Sequence, residues 1–511
     1  MPLLGNLIKR GLTVGEKLQN RNRAEPLRLQ QRTLRRLLKR AQNTAFGQYY
    51  DFREILQAKE ECIRAFQDKV PIFDYDAMYS QWWHMTLREV EDVSWPGQIK
   101  YFALSSGTSG APSKHIPISE EMRKAMKHAG LRMFFALTNF QVEPDLFTKP
   151  MLMLGGSSDL DSQGSYYKGD LSGINASQPP YWLRPYYKPG GEIARIRSWE
   201  EKITEISRHA PEWDIGFLVG IPSWLQLMME RIIEDHGLET IHDIWPNLKV
   251  CVHGGIAFDP LKKSFERLLA HPLIYMDSYL ASEGFIAYQQ RPETNAMRLL
   301  LHNGIFFEFI PFNEDNFDEE GQIKANPATL TIDEIEEDID YALLITTCSG
   351  TWRYLIGDTV RFPDKSIPEI IITGRTKHFL SICGEHLSVD NMNQGIQQVE
   401  EELGLSVREF TVGPVQQGNR YIHRWYLGCE READPQQVRY ILDEQLQEVN
   451  ADYKTERESL LNIEVEVLPI DLFYDWQASK GKLGGQNKFP RVMKGKRFAD
   501  WENFVHRAVR S

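Results

Sequence analysis

The 511-residue sequence has few cysteines, and none of them is part of a pair. The five cysteines stand at positions 62, 251, 348, 383 and 429, without a Cys-x-x-Cys spacing. This pattern argues against a zinc ribbon and against a disulfide framework, and it is typical of proteins from a reducing compartment. We therefore expect a cytoplasmic protein.

The sequence also lacks long apolar runs, repeats and an excess of positive charge. No apolar run reaches the roughly 18 residues of a membrane-spanning helix, and the first ten residues have too short an apolar run for a signal peptide. The net charge of −12 argues against a protein that coats nucleic acid. What remains is a globular chain of ordinary composition, long enough for two or more domains.

The most informative stretch is a loop of small residues that starts near residue 105. It contains Ser105, Ser106, Gly107, Thr108, Ser109 and Gly110, and Lys114 follows it. Small side chains let backbone N–H groups converge on an anion, and a lysine adds a charge suited to phosphate. The alternative is a flexible Ser/Gly loop. The loop is not a P-loop, since Pro112 and Pro117 disfavour the helix that a P-loop opens.

Strand and helix signals alternate through the middle of the chain. The sequence predicts strands at 151–154, 215–219, 249–252 and 273–276, and helices at 24–45, 119–140, 199–208, 222–234 and 260–269. It further predicts helices at 390–403 and 435–454, with strands near 410, near 425 and at 463–468. Such alternation favours sheets flanked by helices. Residues 155–191 lack periodicity and predict a long functional loop.

Two segments after the middle strands carry candidate binding residues. Gly254 and Gly255 follow a strand and would let the backbone approach a flat base, or they form an ordinary βα turn. Glu283 closes the run Tyr279-Leu-Ala-Ser282-Glu283. One carboxylate together with phosphate oxygens is how proteins usually hold Mg²⁺, and the alternative is the N-cap pair of a helix.

Two further segments lie nearer the C-terminus. Asp358 ends the run Trp352-Arg-Tyr-Leu-Ile-Gly-Asp358, and its carboxylate could accept two hydrogen bonds from a cis-diol. A strand that ends in a Gly-Asp turn is the alternative. Lys488 lies in Gly-Gln-Asn-Lys-Phe-Pro-Arg491, which by composition alone would be a solvated loop.

Taken in this order, the segments resemble the acyl-acid amido synthetases, the family of the plant auxin-responsive (Gretchen Hagen) proteins in the adenylate-forming superfamily. The resemblance is to a divergent member of that family. Ala281, Trp352 and Thr359 replace residues of the family's motifs, and Glu385-His386-Leu387 stands where plant members tend to carry an Asp-Lys-Thr-like run.

The resemblance implies a role for each candidate residue. The loop from Ser105 to Ser109 and Lys114 would hold the phosphates of ATP. The adenosine would contact Gly254, Gly255, Tyr279, Ser282, Asp358 and Arg375, with Asp358 on the ribose and Arg375 near the ribose or at a hinge. Glu283 would bind Mg²⁺. Lys488 and Lys114 would be catalytic, Lys488 by contacting the substrate carboxylate and the α-phosphate.

The resemblance also implies the fold and the reaction. We expect an α/β protein with a large N-terminal domain that binds ATP and the acyl group (1–375) and a small mobile C-terminal α+β lid (376–511). The expected enzyme is a ligase: ATP·Mg²⁺ and a small carboxylic acid give an acyl-adenylate and pyrophosphate, and an amine, expected to be an amino acid, releases AMP. We expect a monomer.

Two alternatives remain at this stage. An acyl-CoA ligase would share the adenylation step and use a thiol as the acceptor. A non-catalytic nucleotide-binding protein would keep the loop but lose Lys488 or Glu283, and this sequence retains both.

Overall fold

Short runs of β-branched and other apolar residues, such as Val250-Cys-Val, form the strands of the molecule's largest sheet. The computed structural model describes residues 6, 9–15, 25–105, 114–176, 181–255, 258–318, 321–376, 387–417, 420–450, 453–454, 462–481 and 488–510. None of the helices in these ranges combines the length and the apolar character that crossing a membrane requires.

The strands, in chain order, are β1 Tyr101–Ser105, β2 Lys114–Ile118, β3 Met151–Met153, β4 Asp161–Gln163, β5 Tyr166–Gly169, β6 Tyr187–Lys188, β7 Phe217–Gly220, β8 Val250–Gly254, β9 Ile274–Ala281, β10 Gly284–Gln289, β11 Met297–Leu299, β12 Ile305–Pro311, β13 Asp340–Thr347, β14 Tyr354–Arg361, β15 Glu369–Arg375, β16 Val407–Gln417, β17 Arg420–Cys429 and β18 Asn462–Pro469.

The α-helices are α1 Pro26–Ala41, α2 Ala45–Tyr49, α3 Phe52–Gln57, α4 Cys62–Lys69, α5 Tyr75–Met78, α6 His84–Leu87, α7 Glu120–Ala136, α8 Leu171–Ala176, α9 Trp199–His209, α10 Pro222–His236, α11 Asp259–Glu266, α12 Val389–Leu403, α13 Pro435–Val449, α14 Asp471–Ser479 and α15 Gly495–Arg510. Residues 9–15 are also helical, and Tyr79–Trp83 forms a π-helical turn. Short 3₁₀ helices span Lys59–Glu61, Leu137–Phe140, Pro144–Thr148, Tyr181–Tyr186, Ile193–Arg195, Ala210–Glu212 and Ile241–Asp243.

Local capping explains where several predicted helices begin and end. Ser119 caps α7 by accepting a hydrogen bond from the backbone N–H of Met122 at 3.0 Å, as its hydroxyl favours at that position. Pro222 starts α10, and Gly237 ends it with a φ of +62°. The predicted helices over 119–140 and 222–234 are confirmed, whereas the one predicted over 24–45 ends at Ala41.

The largest sheet changes character along its width. Its order is β12-β13-β14-β15-β11-β10-β9-β8-β7-β3-β6. From β6 to β9 the neighbouring strands are parallel, and from β9 to β12 they are antiparallel. In open α/β sheets, ligands bind beyond the carboxyl ends of parallel strands, so a binding site is expected at the end of β8.

The parallel strands are buried on both faces. Phe217 and Val250 face the core that α7 helps to form, whereas Leu218 and Cys251, the next residue of each strand, face a second core. The second core is closed by α9, α10 and α11. Successive side chains of a strand point to opposite faces, so helices on both sides are needed to cover this half of the sheet.

A second sheet has the order β2-β1-β5-β4. Part of it falls in residues 155–191, for which the sequence predicts a long loop. That prediction is wrong for much of the segment, because it contains β4, β5, α8 and β6. The strands are short, and β5 pairs with the distant β1, so no local periodicity announces them.

The C-terminal part of the chain has its own sheet, in the order β16-β17-β18. Along β17, Trp425 and Leu427 face α12 and α13, and Tyr426 between them faces α14 and α15. The predicted order of helix, two strands, helix and strand after residue 387 is confirmed. The two apolar clusters of this sheet are separate from those of the large sheet.

A buried ion pair anchors the start of the run from Trp352 to Asp358. The guanidinium of Arg353 contacts the carboxylate of Glu308 at 3.0 Å, and both side chains are almost fully buried. Arg353 also donates to the carbonyl oxygens of Gln67 and Val70 and to the hydroxyl of Thr329. Every polar group of the pair is thus satisfied, which is the condition under which a buried pair persists.

We predict that Arg353→Met lowers the free energy of unfolding by about 3–5 kcal/mol, because it leaves the Glu308 carboxylate buried without its partner. Urea denaturation followed by tryptophan fluorescence measures this. The control is Lys365→Met, which removes an exposed pair with Glu336 and should leave the free energy of unfolding close to that of the wild type. Equal losses for the two variants would contradict the prediction.

Candidate active site

The loop of small residues is carried by a hairpin. Strands β1 and β2 are antiparallel, and Ser105 pairs with Lys114 in the last register position before the loop. Ser106, Gly107, Thr108 and Ser109 lie outside the described residues. The hairpin therefore brings the two ends of the loop together and sets Lys114 at its base.

The aromatic ring of Tyr75 supports Lys114. The ammonium of Lys114 lies 5.1 Å from the ring centroid of Tyr75, within the range of a cation–π contact. The Tyr75 hydroxyl also accepts a hydrogen bond from the backbone N–H of His115 at 2.9 Å. Tyr75 opens α5, whose cap is Asp74. These contacts fix the start of β2 and with it the direction of the lysine.

Two glycines at the end of β8 allow a close approach of neighbouring groups. A Cβ atom on Gly254 would lie 2.2 Å from the carbonyl oxygen of Ser278 on β9. Gly255 has a φ of +86°, and a Cβ atom there would lie 3.3 Å from Cε of Lys488. Only glycine meets both conditions, because it lacks the Cβ and tolerates positive φ.

Asp358 is held by two donors from two other strands. The Tyr279 hydroxyl on β9 donates to Oδ2 of Asp358, and Nε of Arg375 on β15 donates to Oδ1 at 2.8 Å. Asp358 and Arg375 are register partners across β14 and β15. Burial raises the pKa of Tyr279 far above its usual value, and Asp358 raises it further, so Tyr279 remains a donor. Each carboxylate oxygen keeps a second lone pair for a ligand hydroxyl.

Glu283 is a buried carboxylate in the turn between β9 and β10. The turn consists of Ser282 and Glu283, since Ala281 and Gly284 are register partners; it is not the start of a helix. The pKa of Glu283 is raised to about 7, chiefly by burial and also by the charge of Asp358, while Lys114 and Arg375 oppose the rise. These interactions show that Glu283 lies near all three charged groups.

The surroundings of Glu283 fit a single magnesium ligand. A carboxylate that burial makes reluctant to ionise is one that a divalent cation stabilises in its charged form. The described ranges contain no group of three or more His, Cys, Asp or Glu residues that could hold a metal ion without other ligands. Proteins usually hold Mg²⁺ with one or two carboxylates together with phosphate oxygens, and a single buried carboxylate is compatible with that arrangement.

Lys488 reaches the site from the C-terminal part of the chain. Its side chain lies against Gly255 and is exposed to solvent, although the surrounding protein replaces part of its water. Desolvation and the nearby Arg375 lower the pKa of Lys488 to about 8, and Asp358 opposes them. Gly255 from the N-terminal part of the chain and Lys488 from the C-terminal part thus lie side by side.

Sequence reasoning missed two aromatic residues at this site. Tyr75 carries no local signal, since it becomes a neighbour of Lys114 only through the fold. Tyr354 belongs to the motif that ends at Asp358, and burial and the charge of Glu283 raise its pKa far above its usual value. The structure also places Asp358 inside β14 and not in a turn at its end.

A small cavity opens beyond the carboxyl end of β3. It is lined by residues of 155–191 and their neighbours, among them Leu154, Gly156, Ser172, Tyr187 and Lys202. The ammonium of Lys202 donates to the carbonyl oxygen of Gly155 at 3.2 Å. Because β3, β7 and β8 are parallel, the cavity lies at the same edge of the sheet as Gly254.

Three models of one protein family match the chain. They are the GH3 family N-terminal domain over residues 19–157, the central domain over residues 298–375 and the C-terminal domain over residues 390–497. Together they cover more than half of the chain. The indole-3-acetic acid-amido synthetase GH3.4 of Arabidopsis thaliana is 23% identical over 548 residues, which cover 92% of this chain and 89% of that protein.

Solved structures with the same fold include two ligases. The GH3.15 acyl acid amido synthetase matches with a TM-score of 0.76 and 16% identity, over 97% of this chain and 96% of that one. A 2-hydroxyisobutyryl-CoA ligase in the postadenylation state matches with a TM-score of 0.59 and 12% identity, over 94% of this chain and 91% of the other. These likenesses concern the fold.

The fold and the family models define the class of protein as an adenylate-forming ligase. The chain belongs to the GH3 family of acyl acid amido synthetases, the family that the sequence motifs resemble. Curated relatives in this family are named indole-3-acetic acid-amido synthetase and jasmonoyl-L-amino acid synthetase.

We predict that Asp358→Ala weakens the use of ATP by roughly tenfold to a hundredfold, because charge-assisted hydrogen bonds contribute about 1.5–3 kcal/mol each. Steady-state kinetics with varied ATP measure this. Tyr279→Phe is the matched control: it removes one donor that holds Asp358 but leaves the carboxylate, so its effect should be smaller. Unchanged kinetics for Asp358→Ala would make Asp358 structural.

A second prediction concerns pH. Lys488 carries its positive charge below a pH of about 8 and loses it above, so kcat/KM of adenylation should fall roughly tenfold for each pH unit above 8. Lys488→Arg should abolish this fall, whatever its absolute rate, because a guanidinium stays charged. Initial rates of pyrophosphate release between pH 6 and 10 test it. The same decline in both proteins would assign it to another group.

Proposed function

We propose that this GH3 protein activates a small carboxylic acid with ATP at the site between β1, β8, β14 and Lys488, and then transfers the acyl group to an amino acid. The observation that carries the proposal is the convergence of Lys114, Asp358, Arg375 and Lys488, which lie on separate segments of the chain. The loop from Ser105 to Ser109 and Lys114 would hold the phosphates, as the family's motif implies.

In the first step an oxygen of the substrate carboxylate attacks the α-phosphorus of ATP, and pyrophosphate leaves. Negative charge accumulates between the carboxylate and the α-phosphate. Lys488 is the cation that we assign to this charge, and a preorganised donor of this kind contributes about 2.7–4 kcal/mol. Lys114 would neutralise the phosphates on the other side, with its direction fixed by Tyr75.

The nucleoside would lie along the strand ends. Asp358 is oriented by Tyr279 and Arg375 before any ligand arrives, so binding a ribose diol requires little reorganisation. Gly254, Gly255 and Ser282 would border the base. Glu283 would hold Mg²⁺, which when bound supplies positive charge to the phosphates.

In the second step the amine attacks the acyl carbon and AMP leaves. As AMP leaves, its phosphate takes the electron pair of the broken acyl–oxygen bond, and the amine must lose a proton to an acceptor, a role that a protonated Lys488 does not fill. We therefore propose that residues 376–511 form a lid that moves away from the domain of residues 1–375 after adenylation. The separate apolar clusters of the two parts support this division.

The acyl group would enter the cavity beyond β3. The cavity lies at the edge of the sheet that carries Gly254, and its walls combine apolar and small residues. We further propose a cytoplasmic location, because the four described cysteines are all unpaired, as a reducing compartment requires.

The proposal predicts acid-dependent conversion of ATP to AMP and pyrophosphate. Candidate acids are incubated with the enzyme, an amino-acid mixture and CoA, and the nucleotides and conjugates are separated by chromatography and mass spectrometry. We expect AMP, pyrophosphate and an N-acyl amino acid. ADP and phosphate as products would refute adenylation, and a thioester as the only conjugate would show an acyl-CoA ligase.

Lys488→Ala is the control for this experiment. It should nearly abolish pyrophosphate release, because the cation of the first step is missing. It should spare the transfer from a preformed acyl-adenylate to the amino acid. Equal losses in the two half-reactions would remove the role that we give to Lys488.

A further inference from the structure

An arginine on β16 links the C-terminal part of the chain to α10, a helix that covers the large sheet. Arg408 forms an ion pair with Glu230 of α10 and a second one, at 2.5 Å, with Glu430 just after β17. Glu430 in turn pairs at 2.6 Å with Arg267, which follows α11. Two of these three pairs, Arg408–Glu230 and Arg267–Glu430, join the two parts of the chain.

The local backbone aims Arg408 at this interface. The register between β16 and β17 shifts between Val407 and Glu409, so Arg408 is the extra residue of a β-bulge. Bulges redirect a side chain away from the regular alternation of a strand. The Arg408 side chain is only 12% exposed, so the pair with Glu230 is shielded from much of the screening that weakens surface pairs.

The segment that contains Lys488 is attached to the same strand, β16. Glu409, the neighbour of Arg408, accepts a hydrogen bond from Arg491 at 2.5 Å. Two backbone hydrogen bonds, from Val412 to Arg491 and from Met493 to Val412, attach the segment after Lys488 to β16. The position of β16 relative to α10 therefore determines whether Lys488 reaches Gly255.

We propose that Arg408 and Glu230 are positioning residues for adenylation: their ion pair, with Arg267–Glu430 beside it, holds the C-terminal part in the orientation that places Lys488 at Gly255. This inference rests on the proposed function. We call the ion pair between Arg408 and Glu230 the latch. It can open and close again, because Glu430 belongs to the same part of the chain as Arg408 and remains its partner when Glu230 is lost. Movement of the lid therefore does not leave the buried guanidinium without a counter-charge, which would be costly.

The test separates the two half-reactions. Glu230→Gln removes the negative charge across the interface and leaves the Arg408–Glu430 pair. We expect adenylation, measured by ATP–pyrophosphate exchange, to fall on the order of tenfold in kcat, with KM for ATP unchanged. Transfer from a preformed acyl-adenylate should keep the wild-type rate or exceed it. Glu230→Gln combined with Arg267→Gln should lower adenylation further, and Glu230→Asp should restore most of it.

Glu234→Gln is the matched control: it is the same substitution on an exposed residue of the same helix, and it should change neither half-reaction. Wild-type exchange rates for Glu230→Gln, or equal losses in both half-reactions, would overturn the latch. Small-angle scattering without substrates gives a second readout, in which Glu230→Gln should be more extended than wild type and Glu234→Gln should not. If the wild type shows no acid-dependent exchange, the proposed function fails, and identical scattering of Glu230→Gln and wild type would overturn the latch independently.

Discussion

The ion pair between Asp358 and Arg375 is the interaction on which the arrangement of the site depends. It spans β14 and β15 at a register position, and Arg375 is the last residue of β15. Tyr279 on β9 donates a hydrogen bond to the other oxygen of the same carboxylate. The end of the large sheet, the orientation of the carboxylate and the point where the chain leaves for its C-terminal part are therefore fixed together. A group held by two strands in this way is oriented before a ligand binds.

The charged groups of the site oppose one another, and under the proposed function ATP·Mg²⁺ would compensate them. Lys488 and Arg375 repel one another, which helps to lower the pKa of Lys488, whereas burial and Asp358 raise the pKa of Glu283. Phosphate charge stabilises a protonated Lys488, and a divalent cation stabilises an ionised Glu283. The nucleotide and the metal together would therefore match the site better than either would alone.

The sequence predicted the parts of this molecule that are determined locally. Ser119 predicts the start of α7, and Pro222 predicts the start of α10. Helix capping by serine and the fixed φ of proline both act within a few residues. The motifs around Gly254, Glu283, Asp358 and Lys488 were found because they resemble motifs of one protein family, and the structure brings these residues together. Their roles in catalysis remain predictions.

Other features could not be predicted because they arise from contacts between distant segments. Tyr75 meets Lys114 through packing, and the fold of residues 155–191 depends on the pairing of β5 with β1. The bulge at Arg408 is a property of the β16–β17 register, and no residue pattern within β16 encodes it.

The attachment of the Lys488 segment to β16 has a consequence for the timing of the reaction. Val412 both donates to Arg491 and accepts from Met493, so the chain just after Lys488 behaves as part of the sheet edge. Its anchor lies three residues from the lysine, too short a tether for Lys488 to swing far by itself. Under the proposed function, Lys488 would leave the site only when the whole C-terminal part of the chain moves, so the acyl-adenylate would meet the amine in a site that Lys488 has already left. The rigid attachment would thereby keep the two chemical steps apart in time without a separate signal.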